Sequence, residues 1–336
     1  MHHARVRFVA VSPRPLRPLA AVFLAVTAVS AAGCGAARYV TAPPDVQPSG
    51  TQPGTALSTR VVVVSIDGLR PDAITRFRAS TLQRLMEEGS YTLAASTILP
   101  SKTLPSHTSM LTGELPDQHR VLWNNVVTAD SDSIDLPNIF SVARSHGYRT
   151  AAFFSKAKFQ PLQREGTLDY SQAPGGWFGK WSARRTLADV EKYLQTASPN
   201  LLFVHIADPD TAGHRSGWMS EDYGSAVRSA DAAVARLVTA ADRTFGADAY
   251  TLIVTADHGG HGNNHGSEDV RDVMIPWIAW GRGVKPGLLQ PSSVKTMDTA
   301  ATVLWLLGLS EPTDWAGAPV TPAFEASPAV ATASGG

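Results

Sequence analysis

Thr255-Ala256-Asp257-His258-Gly259-Gly260-His261-Gly262-Asn263-Asn264-His265-Gly266 places one carboxylate and three imidazoles within twelve residues. Carboxylate plus imidazole suits zinc or manganese, and no thiolate stands among them. The glycines and asparagines let a loop fold back tightly and aim histidines at one point. Three other places carry related chemistry. Asp67 follows a run of four valines, Thr103 opens a segment with Pro105 two residues on, and Asp210 precedes His214 by four residues. An acid at Asp67 could bind a metal or cap the next helix, a part Asp72 after Pro71 fills equally well. A hydroxyl at Thr103 either caps a helix or, beside free N–H groups and a positive dipole end, meets a phosphate or sulfate.

Each of these residues needs an element to deliver it. Arg60–Ile66, Leu201–Ile206 and Tyr250–Val254 are short unbroken apolar runs that read as buried parallel strands, and each ends in an acid. In a parallel α/β sheet, ligands are met at the strands' C-terminal ends. Helices are predicted over Ser80–Gly89, from about Thr103 to Gly113, over Pro137–Gly147, Ser220–Arg243 and Asp298–Leu307. Tyr148–Phe154 and Val273–Gly281 read as further strands, and Asp210 and His214 turn toward one cation across a bend at Gly213. Alternating strands and helices predict a three-layer α/β/α sandwich with a mostly parallel central sheet. Four polar strand ends on one sheet are hard to explain by stability, because buried like charges repel unless cations neutralise them. Two divalent cations would do so and would suit phosphoryl transfer.

The chain has 336 residues and zero formal net charge, which argues against duplex nucleic-acid binding through a basic footprint. Arg5, Arg7, Arg14 and Arg17 precede an apolar core at Leu19–Val29 too short to span a bilayer comfortably. Residues 1–33 therefore read as a bacterial secretory signal peptide. Cys34 is the only cysteine and cannot form an internal disulfide. Its place after small residues resembles a lipoprotein cleavage site, although Ala31 stands where Leu is usual. The expectation is a lipidated Cys34 and an exported, membrane-anchored protein at the cell surface or in the periplasm. Residues 34–58 read as a flexible tether, 59–318 as one catalytic domain and 319–336 as a disordered tail.

In order along the chain stand V-S-I-D-G-L-R-P-D, T-L-P-S-H-x-S-M-L-T-G, P-D-x-x-G-H and T-A-D-H-G-G. Together they resemble the alkaline phosphatase superfamily, and within it the nucleotide pyrophosphatase/phosphodiesterase branch, from about Val61 to Leu309. The resemblance implies one zinc held by Asp67, Asp257 and His258 beside the nucleophile Thr103, and a second held by Asp210, His214 and His265. It places Asn124 on a phosphoryl oxygen. The second-site histidine of that branch usually lies further downstream, so His261 stands as a rival to His265. Arg120 occupies a position where Gly is common.

The expected activity is hydrolysis of small phosphate esters, foremost diesters and nucleotide pyrophosphates, through a threonyl-phosphate intermediate. Asn124 offers a neutral donor for a diester, and Trp123, Phe159, Trp177 and Phe178, with Trp181 nearby, an apolar wall. Lys102, Lys156 or Lys158, if one points inward, would favour a monoester dianion instead. Phosphomonoesterase and phosphonate hydrolase are the alternatives within the superfamily, and a non-catalytic metal- or ligand-binding lipoprotein is the alternative outside it. A sulfatase fits least, because Thr103 is not the Cys or Ser of a C/S-x-P-x-R pattern.

Overall fold

A computed structural model describes residues 56–126, 134–163, 166–176, 179–289 and 294–325, together with the backbone of 38–39. Contacts separate Met1–Gly33 from Cys34–Gly336, and every element below belongs to the second unit. The strands are β1 (Arg38–Tyr39), β2 (Val61–Ile66), β3 (Ser90–Ser96), β4 (Thr150–Phe153), β5 (Tyr170–Gln172), β6 (Leu201–Ile206), β7 (Thr251–Thr255), β8 (Met274–Gly281) and β9 (Gly287–Leu288). The helices are α1 (Pro71–Arg76), α2 (Ser80–Glu88), α3 (Thr103–Thr112), α4 (Pro116–His119), α5 (Ile139–Ser145), α6 (Ala183–Leu194), α7 (Asp208–Ser216), α8 (Glu221–Phe245), α9 (Val270–Val273) and α10 (Asp298–Leu306).

The strands form one nine-stranded sheet in the order β1-β5-β4-β6-β2-β7-β8-β3-β9. The central strands β4, β6, β2 and β7 run parallel, whereas β8 pairs antiparallel with both β7 and β3. Every residue of β2, β6 and β7 is buried, as expected of strands covered on both faces. Helices α1, α2, α6, α7 and α8 pack together, and α3, α4, α5 and α10 form a second group. The result is the expected α/β/α sandwich.

Local chemistry explains the covering helices. Ser220 caps α8 by accepting the Tyr223 N–H, and Val227, Val234, Leu237 and Val238 form its buried stripe. In α2, Leu82 and Leu85 are fully buried, each contributing about 1.5–3 kcal/mol of apolar transfer. Asn138 caps α5 by accepting from Phe140 and Ser141.

Two expectations need correction. Asp210 and His214 do not lie across a bend; they sit on α7, where an i,i+4 pair shares a face. Gly213 is inside that helix, against Trp218. The tail does not begin at 319. Val320, Ala323 and Phe324 are buried, and Phe324 bridges to Val284, so packing continues through 325. The signal segment, Cys34, most of the tether and residues 326–336 lie outside the described residues. Among those described, no helix is long and apolar enough to cross a membrane.

Candidate active site

Strand register sets the site. Val64 aligns with Val204, Val204 with Phe153, and Val64 with Val254. Three residues further along each chain stand Asp67, Ala207, Lys156 and Asp257, at the same edge of the sheet. Asp210 joins them from the first turn of α7, where its N–H donates to the Asp67 carbonyl at 3.0 Å. That approach requires Gly68. Its φ is +72°, and a Cβ there would lie 2.9 Å from the Asp210 Cα. Gly260 serves the histidine loop in the same way, since a Cβ would stand 2.2 Å from Trp218, the ring flanking His214 and His265.

The imidazoles are held in defined tautomers by backbone carbonyls. The Nδ1 of His258 bonds to Gly259 O at 2.8 Å, that of His265 to Ser101 O at 2.8 Å, and that of His214 to Asn263 O at 2.9 Å. Donation by each Nδ1–H leaves an Nε2 lone pair facing inward. His258 Nε2 then lies 3.4 Å from Asp67 Oδ1, 3.3 Å from Asp257 Oδ2 and 3.4 Å from Thr103 Oγ1. His214 and His265 Nε2 lie 3.2 and 3.5 Å from Asp210 Oδ1, and 3.2 Å from each other.

Asp67 Oδ1, Asp210 Oδ1 and Asp257 Oδ2 are buried without a hydrogen-bond partner. Lone pairs facing lone pairs at these distances repel unless a cation or proton lies between them. Two sets of ligand atoms are mutually within 4.8 Å: Asp210, His214 and His265, and Asp67, Asp210 and His258. Asp257 reaches the second set through His258. The donors therefore fit a pair of divalent cations, with Asp210 close to both positions.

The other oxygens of Asp67 and Asp210 face Lys156, whose Nζ lies 2.6 Å from Asp67 Oδ2 and 2.5 Å from Asp210 Oδ2. Burial alone would raise both carboxyls, but the Lys156 ammonium outweighs it and holds them well below the usual range. Lys156 is itself pushed upward: burial disfavours its charge, and Asp210 and Asp67 overcome that. Asp257 has no such partner, and burial and the nearby Asp67 push it well up. Burial and His265 hold His258 down to about 3, so it stays neutral. His214 is raised by its contact with Asp210.

Behind these candidate ligands stands a layer absent from the sequence-based site. His205 Nδ1 accepts from the Ser155 N–H, so its Nε2 donates to Asp67 Oδ2 at 2.9 Å and fixes that carboxylate. His107 Nδ1 bonds to Thr103 O at 2.7 Å and its Nε2 accepts from Ser65 Oγ at 2.8 Å. A single polar residue in the apolar run Leu201–Ile206 was the available signal for His205.

Thr103 is the first residue of α3, and Lys102 rather than Thr103 is its N-cap. The hydroxyl is therefore not spent on capping, and its recorded contact is His258. Leu104 N donates to Asn124 Oδ1 at 2.9 Å, and Pro105 has no N–H, so this turn offers an anion fewer backbone donors than the sequence suggested. Asn124 Oδ1 also accepts from Lys158 Nζ at 3.2 Å, which leaves the amide Nδ2 to donate.

Other candidates fall elsewhere. His261 Nδ1 contacts Asp272 Oδ1 at 2.7 Å, so geometry separates it from His265, which reaches Asp210. Phe159 is not a wall. It is fully buried behind the site against Phe154, His107 and His205. Trp123 is half-buried, Trp181 packs under Arg185, and Trp177 and Phe178 lie outside the described residues. Lys102 runs along Gly266. Arg120 adopts φ +58°, which accounts for the usual Gly there.

The sequence matches the family described as type I phosphodiesterase / nucleotide pyrophosphatase over residues 61–275. Bis(5'-adenosyl)-triphosphatase enpp4 of Xenopus laevis is 23% identical over 62% of this chain and 49% of its own length. The human GPI ethanolamine phosphate transferase 2 catalytic subunit is 24% identical over 81% of this chain and 28% of its own. The chain thus spans half or less of these relatives. Among solved structures, murine ectonucleotide pyrophosphatase/phosphodiesterase 5 with AMP superposes with TM-score 0.64 at 16% identity, covering 75% of this chain and 96% of that one. The alkaline phosphatase PafA superposes with TM-score 0.65 at 13% identity, covering 80% and 99%. With its four motifs on one sheet edge and a fold like that of the alkaline phosphatase PafA, the chain belongs to the type I phosphodiesterase / nucleotide pyrophosphatase family.

Proposed function

We propose that this protein is a two-metal hydrolase of small phosphate esters, acting on diesters and pyrophosphate-linked nucleotides with Thr103 as nucleophile. The observation that carries this is the convergence of three unpartnered buried carboxylate oxygens with three inward-facing imidazole nitrogens beside the Thr103 hydroxyl. Asp67, Asp257 and His258 would hold one divalent cation, best matched by zinc, and Asp210, His214 and His265 a second. Bound there, the pair supplies the positive charge that ionises a neighbouring hydroxyl and neutralises a departing oxygen.

Thr103 Oγ attacks phosphorus in line as the ester P–O bond breaks on the opposite side, giving a threonyl-phosphoryl intermediate. A water then forms the new P–O bond, the P–Oγ bond breaks and Thr103 is restored. Asn124 Nδ2 donates to a non-bridging oxygen while its carbonyl is held by Leu104 N. His205 keeps Asp67 oriented throughout. Enpp4 is named as a bis(5'-adenosyl)-triphosphatase, and an inactive threonine-to-alanine form of the murine structural neighbour binds AMP; both support this substrate class.

The test is hydrolysis of bis(4-nitrophenyl) phosphate by zinc-loaded protein. Chelation should abolish it, and Thr103→Ala should lower kcat/KM by about a thousandfold or more, roughly 4 kcal/mol of transition-state stabilisation. Activity that survives either treatment contradicts the assignment. Export and a lipid on Cys34 belong to the same proposal, on the sequence alone. Cys34→Ser should release the protein from membranes, and unchanged membrane association would remove the lipid claim.

A further inference from the structure

The sequence offers His261 as a rival to His265, and the structure gives it a different partner. Its Nδ1 lies 2.7 Å from Oδ1 of Asp272, a fully buried residue of the short helix α9. The other oxygen of Asp272, Oδ2, accepts from Ser267 N at 3.1 Å and from Ser267 Oγ at 2.7 Å. Its backbone carbonyl accepts from Gly259 N at 2.7 Å, and the Arg271 carbonyl beside it from Gly260 N at 2.7 Å. A Cβ on Gly259 would lie 2.0 Å from that Arg271 oxygen, so the two backbones cross where only glycine fits. Asp272 thus fastens both ends of the loop 259–267, which begins just after His258 and carries His265. Burial works to raise its carboxyl, and the bonds from His261 and Ser267 more than offset this, so it stands below its usual value. An ionised carboxylate only accepts, so His261 Nδ1 carries the proton and donates.

From this buckle the contacts reach His265 by two routes. Along the first, His261 and Asn264 exchange backbone bonds of 3.0 Å, and Asn264 Oδ1 accepts from the His265 N–H at 3.0 Å. Along the second, Ser101 Oγ donates to Ser267 O at 2.8 Å, and the Ser101 carbonyl accepts from His265 Nδ1 at 2.8 Å. The first route holds the backbone of His265 and the second its ring. The other candidate ligands need such help less. Asp210 and His214 ride on α7, and His258 closely follows β7. His265 instead stands between Gly262 at φ +52° and Gly266 at φ +109°, where the chain turns readily. Fixing a loop-borne side chain costs entropy that weakens binding unless the protein has already imposed the order.

Resting on the two-metal reading above, we propose that Asp272 and His261 are positioning residues that preset His265 and thereby govern the affinity of the second metal position. Neither touches the ion. They act through Asn264, Ser267 and Ser101 on one ligand alone, so their loss falls on one metal position and spares the other.

The experiment titrates zinc into the full-length chain against a chromophoric chelator, resolving two affinities in wild type. Asp272→Asn turns one accepting oxygen into a donor that faces His261 or Ser267. It should weaken one zinc affinity about 10–100-fold and leave the other within about threefold. His261→Ala should weaken the same one about tenfold, with two zinc ions still bound at saturation. His261→Gln, whose amide N–H can still donate to Asp272, should stay within about threefold of wild type. In a His265→Ala background, where one site remains, Asp272→Asn should change its affinity by less than about threefold. Hydrogen exchange in chelator gives a second readout: amides of 261–267 should exchange at least about tenfold faster in Asp272→Asn, with those of β2 and β7 unchanged. Equal losses at both zinc sites would show a general structural role and overturn the proposal. Unchanged zinc affinities in folded Asp272→Asn would also overturn it and leave the two-metal reading intact. Fewer than two zinc sites in wild type would overturn the two-metal reading, and this proposal with it.

Discussion

Lys156→Met is the substitution whose consequence the structure defines most sharply. Methionine keeps the length and most of the volume of the side chain and removes only the ammonium. In metal-free protein this strands Asp67 and Asp210, 0% and 2% exposed, each having lost a contact of 2.6 or 2.5 Å. Removing one partner of a buried ion pair costs about 3–5 kcal/mol, because the remaining charge must be neutralised or left unsolvated. For a domain of this size each kcal/mol shifts Tm by about 2–4 °C, so the loss should be roughly 6–20 °C in chelator. Zinc should reverse much of it, since the ions bring positive charge to the same two carboxylates. The zinc-induced gain in stability should therefore be larger in the variant than in wild type. Urea unfolding in chelator and in excess zinc measures both quantities. A variant within about 1 kcal/mol of wild type in chelator, or one with the same zinc increment, would refute the role given to Lys156.

His265→Ala should cost one of two bound metals by elemental analysis, and His261→Ala neither; the reverse pattern would exchange their roles. His205→Ala should weaken metal affinity about 10–100-fold in chelator competition, because Asp67 loses the donor that orients it, and an unchanged affinity would deny that function. In chelated protein, burial holds His107, His205, His258 and His265 below their usual pKa, so they stay neutral as pH falls below about 6.5 while the unfolded chain takes up protons. The unfolded state then binds more protons, and stability must fall on acidification. His119, held by burial down to about 4, adds a fifth, while Asp257, raised by burial, and His214, raised by its contact with Asp210, take their protons early and offset two of the five. Tm should thus be lower at pH 5 than at pH 7, and a flat or rising Tm would contradict the sign.

The strands that build the site were legible because burial on both faces leaves unbroken apolar runs. Each of β2, β6 and β7 is such a run ending at a candidate ligand or leading into one. α7 was not legible, since its buried face is Pro209, Asp210, Ala212 and Gly213, which carries no apolar period. The spacing of Asp210 and His214 by four, after a proline, was the signal for a helix. β3 escaped notice because its buried positions, Ser90, Thr92 and Ala95, are small or polar, while its larger apolar residues, Tyr91 and Leu93, are only partly buried. Phe159 shows the limit of composition: an aromatic near a site in sequence can line it or lie beneath it, and here it supports His107 and His205. Lys156 stood in plain view, but its inward direction depends on how β4 registers with β6. The segment after Pro319 has a tether's composition, yet Val320 and Phe324 bury against the domain.

The central claim is that the Thr103 hydroxyl itself becomes bonded to phosphorus. Acid-quenching zinc-loaded protein during turnover of 4-nitrophenyl phosphate or the matched methyl diester, followed by peptide mass analysis, tests it directly. A phosphoryl or methylphosphoryl adduct confined to Thr103, absent in Thr103→Ala and in chelated protein, is the predicted result. An adduct on another residue would contradict it, as would steady hydrolysis by Thr103→Ala at the wild-type rate.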